Sequence, residues 1–406
     1  MKIAGIVAEY NPFHNGHLYQ ITKVKEELGV DKIIAVMSGN FSQRGLPTIC
    51  DKFTRTRMAL NNGVDLVIEL PVMYAAASAE FFSKYAVSIL NSLGIVDYIA
   101  FGSECGDIDI LTNIASTTFY NKSKLDKLIN EYTKSHLSYT EAICKATITL
   151  MSNYDSNIIS DVIKSSNNIL ALEYIKALLY HKSNITPYTI KRSSSNFNDT
   201  HIYNNMPSAT AIRHSLYSGN VSSLQATLPH NNLEIIKNYS LPNLDKLTQF
   251  VHYKFIFSNI DKLYTCWDVS NDLINTIVKY SKEFASYDEI VNFSTSKSYT
   301  RATVSRTILK ELLDITANDT IIDDDIFKAK YIRVLGVNKN STNLLKLIKQ
   351  NSNIPLITNF GKDYKIQNSS AKALLDYEIN ASKLYSYLIG HVDMQNMDYT
   401  TAFIRN

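Results

Sequence analysis

The chain has 406 residues, 41 Lys+Arg against 38 Asp+Glu, and is 45% hydrophobic and 19% charged. That length suits two or three domains, and the apolar share excludes wholesale disorder. The net charge of +3 excludes a histone-like polycation, and no apolar run approaches the roughly 18 residues of a membrane span, so no membrane partner is expected.

The opening MKIAGIVAEY is apolar, but Glu9 and then Asn11-Pro12 follow at once. A signal peptide needs a longer apolar run, so a cytosolic protein is expected. Lys2–Ala8 reads as a buried strand. Gly16–Leu28 carries Leu18, Ile21, Val24 and Leu28 on one helical face, with Gly29 as its stop. Lys32–Met37 reads as a second strand, ending in Ser38-Gly39. Asp51 is placed to cap a helix running to Asn61. Val64–Leu70 reads as a third strand, Ala75–Leu93 as a long helix, and Ile95–Phe101 as a fourth strand. Strands without polar alternation, separated by helices, indicate an α/β fold with a Rossmann-like parallel sheet covered on both faces. Ligands of such sheets sit at the carboxyl ends of the strands. NPFHNGH, SGNFSQRG and FGSE therefore share one rim.

Residues 107–180 read as a helical insertion, broken at Ser165–Asn168. Ile185–Arg192 reads as another strand, followed by the polar loop SSSNFNDT and then PSATAIRHSLYSG. From 216 to about 320 the pattern is helical and amphipathic. Asp323–Asp325 marks a break, and Tyr331–Val337, Leu344–Ile348 and Ile354–Thr358 suggest a small βαβ-like unit. The division expected is 1–215 as a catalytic domain and 216–406 as a mainly helical C-terminal domain with a small α/β end. Cys50, Cys105, Cys144 and Cys266 are scattered without a CxxC pair, so reduced, mostly buried thiols are expected.

The sharpest feature is Asn11-Pro12-Phe13-His14-Asn15-Gly16-His17, joining the first strand to the first helix. A helix N-terminus offers unpaired N–H groups to phosphate, and Gly16 admits close approach of a ligand to the backbone. His14 and His17, three apart, share a helical face and suit hydrogen bonding to phosphate oxygens and a leaving pyrophosphate. The other histidines are dispersed, which disfavours a zinc site. A second motif, Ser208-Ala209-Thr210-Ala211-Ile212-Arg213, follows Pro207 and combines two hydroxyls with a guanidinium as a phosphate grip.

Together the two motifs resemble the HxGH and ISSTxIR motifs of the nucleotidylyltransferase superfamily. The stretches GIVAEYNPFHNGHL, SGNFSQRG, DLVIELP, FGSE, SNNIL, IKR and SATAIR are similar to the bacterial tRNA(Met) cytidine acetate ligase family, and KSYTRATVSR and YIRVLGVN extend the likeness. The resemblance implies a nucleotidylyltransferase core that uses ATP and acetate, through an acetyl-adenylate, to make N(4)-acetylcytidine at the wobble base of elongator tRNA(Met). It implies His14, His17, Ser208, Thr210 and Arg213 as catalytic residues, with Mg2+ as the accompanying ion. It further implies an ATP site along Val7, Ala8, Glu9, Tyr10, Asn11, Pro12, Phe13, His14, Asn15, Gly16, His17, Leu18, Tyr19 and Gln20, against Gly102, Asn167 and Arg192. Asn168 is the neighbouring alternative to Asn167.

Acetate is ionised at neutral pH and attacks without a general base, so alignment and charge neutralisation are what the site must supply. Arg44, Lys52, Arg55 and Arg57, interleaved with Phe41 and Phe53, are expected to guide the anticodon loop from the rim. Lys297, Arg301 and Arg306, and Lys328, Lys330 and Arg333, are further basic clusters expected to meet tRNA phosphates. The competing functions are adenylyl transfer to a small phosphorylated substrate and an RNA-binding scaffold with a vestigial nucleotide site. The sequence says nothing of oligomeric state.

Overall fold

Five apolar runs build the core sheet: β1 (Ile3–Ala8), β2 (Lys32–Ser38), β3 (Leu66–Leu70), β4 (Tyr98–Ser103) and β5 (Thr186–Lys191). The computed structural model describes residues 1–192, 208–317 and 325–406. Loop residues 193–200, Pro207, Asp323 and Asp324 lie outside the described residues. All five strands are parallel, in the order β5-β4-β1-β2-β3. Ile33, Ile34 and Val36 are fully buried because helices cover both faces. Full burial of such a side chain contributes about 1.5–3 kcal/mol.

The chain reverses direction across the sheet between β1 and β4. β1 leads to β2 on one side, and β3 crosses to β4 on the other. The crevice at the carboxyl ends of β1 and β4 is therefore a topological switch point, where open α/β sheets bind ligands. NPFHNGH leaves β1 at this point, and Gly102 and Ser103 end β4 beside it.

The helices follow the sequence closely. α1 (Asn15–Leu28) stops at Gly29, which is left-handed at φ 59°, and α2 (Lys52–Asn61) is capped by the Asp51 carboxylate. The expected helix Ala75–Leu93 is instead two. α3 (Val72–Ala75) is a single turn, and α4 (Ala79–Ser92) starts afresh where the Ser78 hydroxyl caps it. The insertion comprises α5 (Ile108–Tyr120), α6 (Lys122–Lys134), α7 (Tyr139–Leu150), α8 (Ser156–Lys164) and α9 (Ser166–Tyr180). α9 packs on α4, α5 and β4, which carries its N-terminus to the crevice. α10 (Ala209–Tyr217) returns the chain to the same place. Helices α11 (His230–Lys237), α12 (Leu247–Phe257), α13 (Ile260–Leu263), α14 (Asn271–Glu283), α15 (Tyr287–Ser294) and α16 (Arg301–Leu312) follow.

The boundary drawn at 215/216 does not end the sheet. β6 (Ile332–Val337) lies antiparallel on β3 with all six residues buried, and β7 (Leu356–Ile357) and β8 (Ile404–Arg405) pair parallel to it. The βαβ-like unit is present, but it completes the core sheet and covers the β3 edge. A buried charge cluster reinforces the join. Lys52 Nζ is 2.6 Å from both Glu69 and Asp398, and Arg333 lies 2.7 Å from Glu69 and 2.6 Å from Asp398. Glu378 stands 3.7 Å from Lys52, and burial and the neighbouring Glu69 raise its carboxyl well above the usual range. With Glu378 protonated, two cations face two carboxylates.

Candidate active site

The turn from β1 into α1 is held from within. Tyr10 and Phe13 are buried in the core, Tyr10 at φ 46°, and the Asn11–Pro12 peptide is cis. His14 is the N-cap of α1, and its Nδ1 accepts the Gly16 N–H at 3.0 Å. His17 Nδ1 in turn accepts the His14 N–H at 3.2 Å. With both Nδ1 atoms accepting, each neutral ring carries its proton on Nε2. The rings stack with centroids 3.8 Å apart. A Cβ at position 16 would stand 2.8 Å from His14 Cε1, so the glycine lets the first imidazole fold over the helix end. Burial, then Arg192 and Arg213, lowers the His14 pKa to about 3. Burial, His14 and Arg192 hold His17 well below its ordinary value. Both rings are therefore neutral at physiological pH.

α10 brings the second motif to this helix end. The Ser208 hydroxyl caps α10 by accepting the Ala211 N–H at 3.1 Å. Arg213 donates from Nη1 to the Asn11 carbonyl at 2.9 Å and from Nη2 to Thr210 Oγ1 at 3.1 Å. The guanidinium thus fastens α10 to the strand-to-helix turn. Asn15 is anchored elsewhere: its N–H donates to the Thr227 carbonyl at 3.0 Å and its amide to the Ala226 carbonyl at 2.9 Å.

Glu104, just past β4, caps the third element. Its carboxylate accepts the Asn167 side-chain amide at 2.6 Å and the N–H groups of Asn167 and Asn168 at 3.2 and 2.8 Å. A carboxylate at a helix start is the favoured electrostatic arrangement. Asn168 is 2% exposed and accepts the Glu104 and Cys105 N–H groups through Oδ1, which makes it a turn lock. Asn167 faces the cavity.

These elements enclose one cavity of about 360 Å³. It brings together Val7, Ala8, Glu9, Tyr10, Asn11, His14, His17, Gln20, Gly102, Asn167, Arg192, Ser208, Thr210 and Arg213. Pro12, Phe13, Asn15, Gly16, Leu18 and Tyr19 are not among the described lining residues. They pack the turn or shape the helix end behind it. The wall also contains Gln43, Arg44, Phe101 and Leu170, which lie in SGNFSQRG, FGSE and SNNIL, and Phe82 and Tyr174, which lie outside those motifs. Asn167, Leu170 and Tyr174 follow i, i+3, i+7 spacing, which puts them on one face of α9. Phe101 is the neighbour of Gly102. Three guanidinium groups, on Arg44, Arg192 and Arg213, face one carboxylate, on Glu9. Such a wall favours a polyanion.

The basic residues expected at the rim divide sharply. Arg55 is fully buried and donates to the carbonyls of Cys50, Glu9, Ser38 and Gly39. Lys52, Lys330 and Arg333 are buried too, so these four are interior residues. A sequence cannot distinguish a solvated arginine from one that ties strand ends together. Arg57, Lys297 and Lys328 are exposed, and Arg301 is paired with Asp288 at 2.6 Å. Arg306 reaches the Gln43 carbonyl at 3.4 Å, so α16 touches the loop that supplies Arg44. Gly45, at φ +74°, permits this approach: a Cβ there would lie 2.6 Å from the Arg306 nitrogen.

A family model described as HIGH Nucleotidyl Transferase matches residues 1–400. A tRNA(Met) cytidine acetate ligase of Clostridium perfringens is 38% identical over 404 residues, 98% of each chain. One from Clostridium kluyveri is 40% identical over 411 residues, covering 99% of this chain and 98% of its own. The chain belongs to the tRNA(Met) cytidine acetate ligase family. Two crystal structures agree. Thermotoga maritima TmcAL in its apo form superposes with a TM-score of 0.93 at 30% identity, over 100% of this chain and 99% of that one. The form bound with alpha-thio ATP gives 0.90 at 29% identity, over 100% of both. Family membership bears out the resemblance read from HNGH and SATAIR, and the mostly parallel sheet bears out the expected fold class. No described helix is long and apolar enough to cross a membrane.

Proposed function

We propose that this chain is an ATP-dependent ligase that converts acetate to acetyl-adenylate and transfers the acetyl group to the wobble cytidine of elongator tRNA(Met), giving N(4)-acetylcytidine. One observation carries the reading. The helix ends of α1 and α10, two Nε2–H imidazoles and three arginines converge on a single cavity at the switch point of the sheet. The relative from T. maritima binds an ATP analogue, which supports ATP as the occupant.

In this reading the adenosine lies toward Gly102, Asn167 and Tyr174, and the triphosphate toward His14, His17, Ser208, Thr210, Arg192 and Arg213. An acetate oxygen attacks the α-phosphorus in line with the departing pyrophosphate. The imidazoles stabilise the leaving group by hydrogen-bond donation, as they are neutral, and the arginines supply the charge. No covalent enzyme intermediate is needed. Among the described residues no three His, Cys, Asp or Glu side chains cluster to hold a metal. Mg2+ would be held by the ATP phosphates rather than by a carboxylate cluster, and would supply charge neutralisation there. Residues 216–406 supply the tRNA surface, with Arg306 beside the Arg44 loop, and the reaction runs in the cytoplasm.

The test is incubation with ATP, labelled acetate and total tRNA. Label recovered as N(4)-acetylcytidine in tRNA(Met) is expected. An ATP-dependent small product with unlabelled tRNA would point to adenylyl transfer to a small phosphorylated substrate.

A further inference from the structure

We propose that Glu9 accepts the proton shed by the cytidine amine in the second half-reaction, a proposal that rests on the ligase reading above. In that step the amine nitrogen attacks the acetyl carbonyl carbon. A C–N bond forms, the bond from that carbon to the adenylate oxygen breaks, and AMP leaves with the electron pair. The nitrogen must lose one proton. The lone pair of an exocyclic cytosine amine is delocalised into the ring, so removing the proton as the bond forms matters to the rate.

The wall of the cavity offers few acceptors. His14 and His17 each have Nδ1 occupied by a backbone N–H, so what they present is a donor. Arg44, Arg192 and Arg213 are cations. Tyr10 and Tyr174 are phenols that burial keeps protonated. Among the described lining residues, Glu9 is the single carboxylate.

Its position is built. Glu9 directly follows β1, and its backbone carbonyl is held by the buried Arg55 of α2. Its Oε1 accepts the Gln43 N–H at 2.8 Å. A carboxylate has about four lone-pair positions, so this bond orients the group and leaves capacity for a proton. Its charge acts on Arg55 of α2, Arg213 of α10 and Tyr174 of α9. Gln43 and Arg44 belong to the loop that meets α16, so the carboxylate is joined through Gln43 to the C-terminal helices.

The experiment measures two rates on the full chain: acetate-dependent exchange of pyrophosphate into ATP, and single-turnover acetyl transfer from enzyme-bound acetyl-adenylate to tRNA. Glu9→Gln is expected to lower the ratio of transfer to exchange by about 100-fold or more. Glu9→Asp, which keeps the carboxylate, is expected to recover at least about tenfold of that ratio. Equal loss of both rates would overturn the proposal and make Glu9 a support for the cavity, and so would a ratio within about threefold of wild type. If Glu9→Gln does not fold, the same ratio is read in Glu9→Ala, where a value within about threefold of wild type overturns the proposal. Absence of acetate-dependent exchange in the wild type would instead remove the ligase reading itself.

Discussion

His14 and His17 owe their chemistry to backbone atoms. Two N–H groups occupy their Nδ1 positions, and burial keeps both rings neutral, with Arg192 acting on both and Arg213 on His14. His17→Ala removes one preorganised donor, so acetate-dependent pyrophosphate exchange should fall about 10²–10³-fold with the fold intact by circular dichroism. Near-normal exchange would remove the role assigned to this helix end. The same burial has a cost at low pH. The folded-state pKa of His14 lies at about 3, below its ordinary 6.5, so the unfolded chain binds the proton first as pH falls. Stability on this account is complete above pH 6.5 and declines from there toward pH 3, by at most about 1.4 kcal/mol per pH unit. Urea denaturation between pH 7.5 and 5 should show a shallower decline in His14→Asn than in wild type. Parallel curves would mean that the ring is protonated as readily folded as unfolded.

At the scale of elements, α2 shows how a basic stretch divides between structure and surface. Its Arg55 collects three carbonyls at the ends of β1 and β2 and the Cys50 carbonyl just before α2, while Arg57, two residues on, is exposed. Removing a guanidinium so placed leaves several buried carbonyls unpaired, each worth about 1–3 kcal/mol. Arg55→Ala should therefore lose about 3 kcal/mol or more of stability, measured by denaturant unfolding. Arg44→Ala and Arg57→Ala should each stay within about 1 kcal/mol of wild type. Arg44 lines the cavity, so its loss should appear in the ATP or tRNA dependence of the rate. A mild effect of Arg55→Ala on stability would show that these carbonyls find water as readily as they find the arginine.

For the whole molecule, the decisive feature is that the C-terminal chain completes the N-terminal sheet. β6 covers the edge of β3, and Arg333, Glu378 and Asp398 close the charge cluster begun by Lys52 and Glu69. A fragment of residues 1–215 would expose the β3 edge and leave a buried lysine and glutamate without the rest of their partners. Such a fragment should show no cooperative thermal unfolding by circular dichroism, and it should not bind ATP. Cooperative melting of this fragment would mean that the sheet is self-sufficient without β6.

The layers and the rim are legible in the residues alone. Apolar runs without alternation, spaced by helical stretches with Asp51 and Gly29 at their ends, leave a covered parallel sheet as the one economical arrangement, and they put His14, His17 and Gly102 at strand ends. These are local signals, because capping, periodicity and turn chemistry act within a few residues. Long-range packing settles which arginine is buried, that Asn167 faces the cavity while Asn168 locks a turn, and that residues 332–337 close a sheet begun at residue 3. Each of those depends on which atoms from distant segments meet the side chain, and desolvation and hydrogen-bond pairing are set by that meeting.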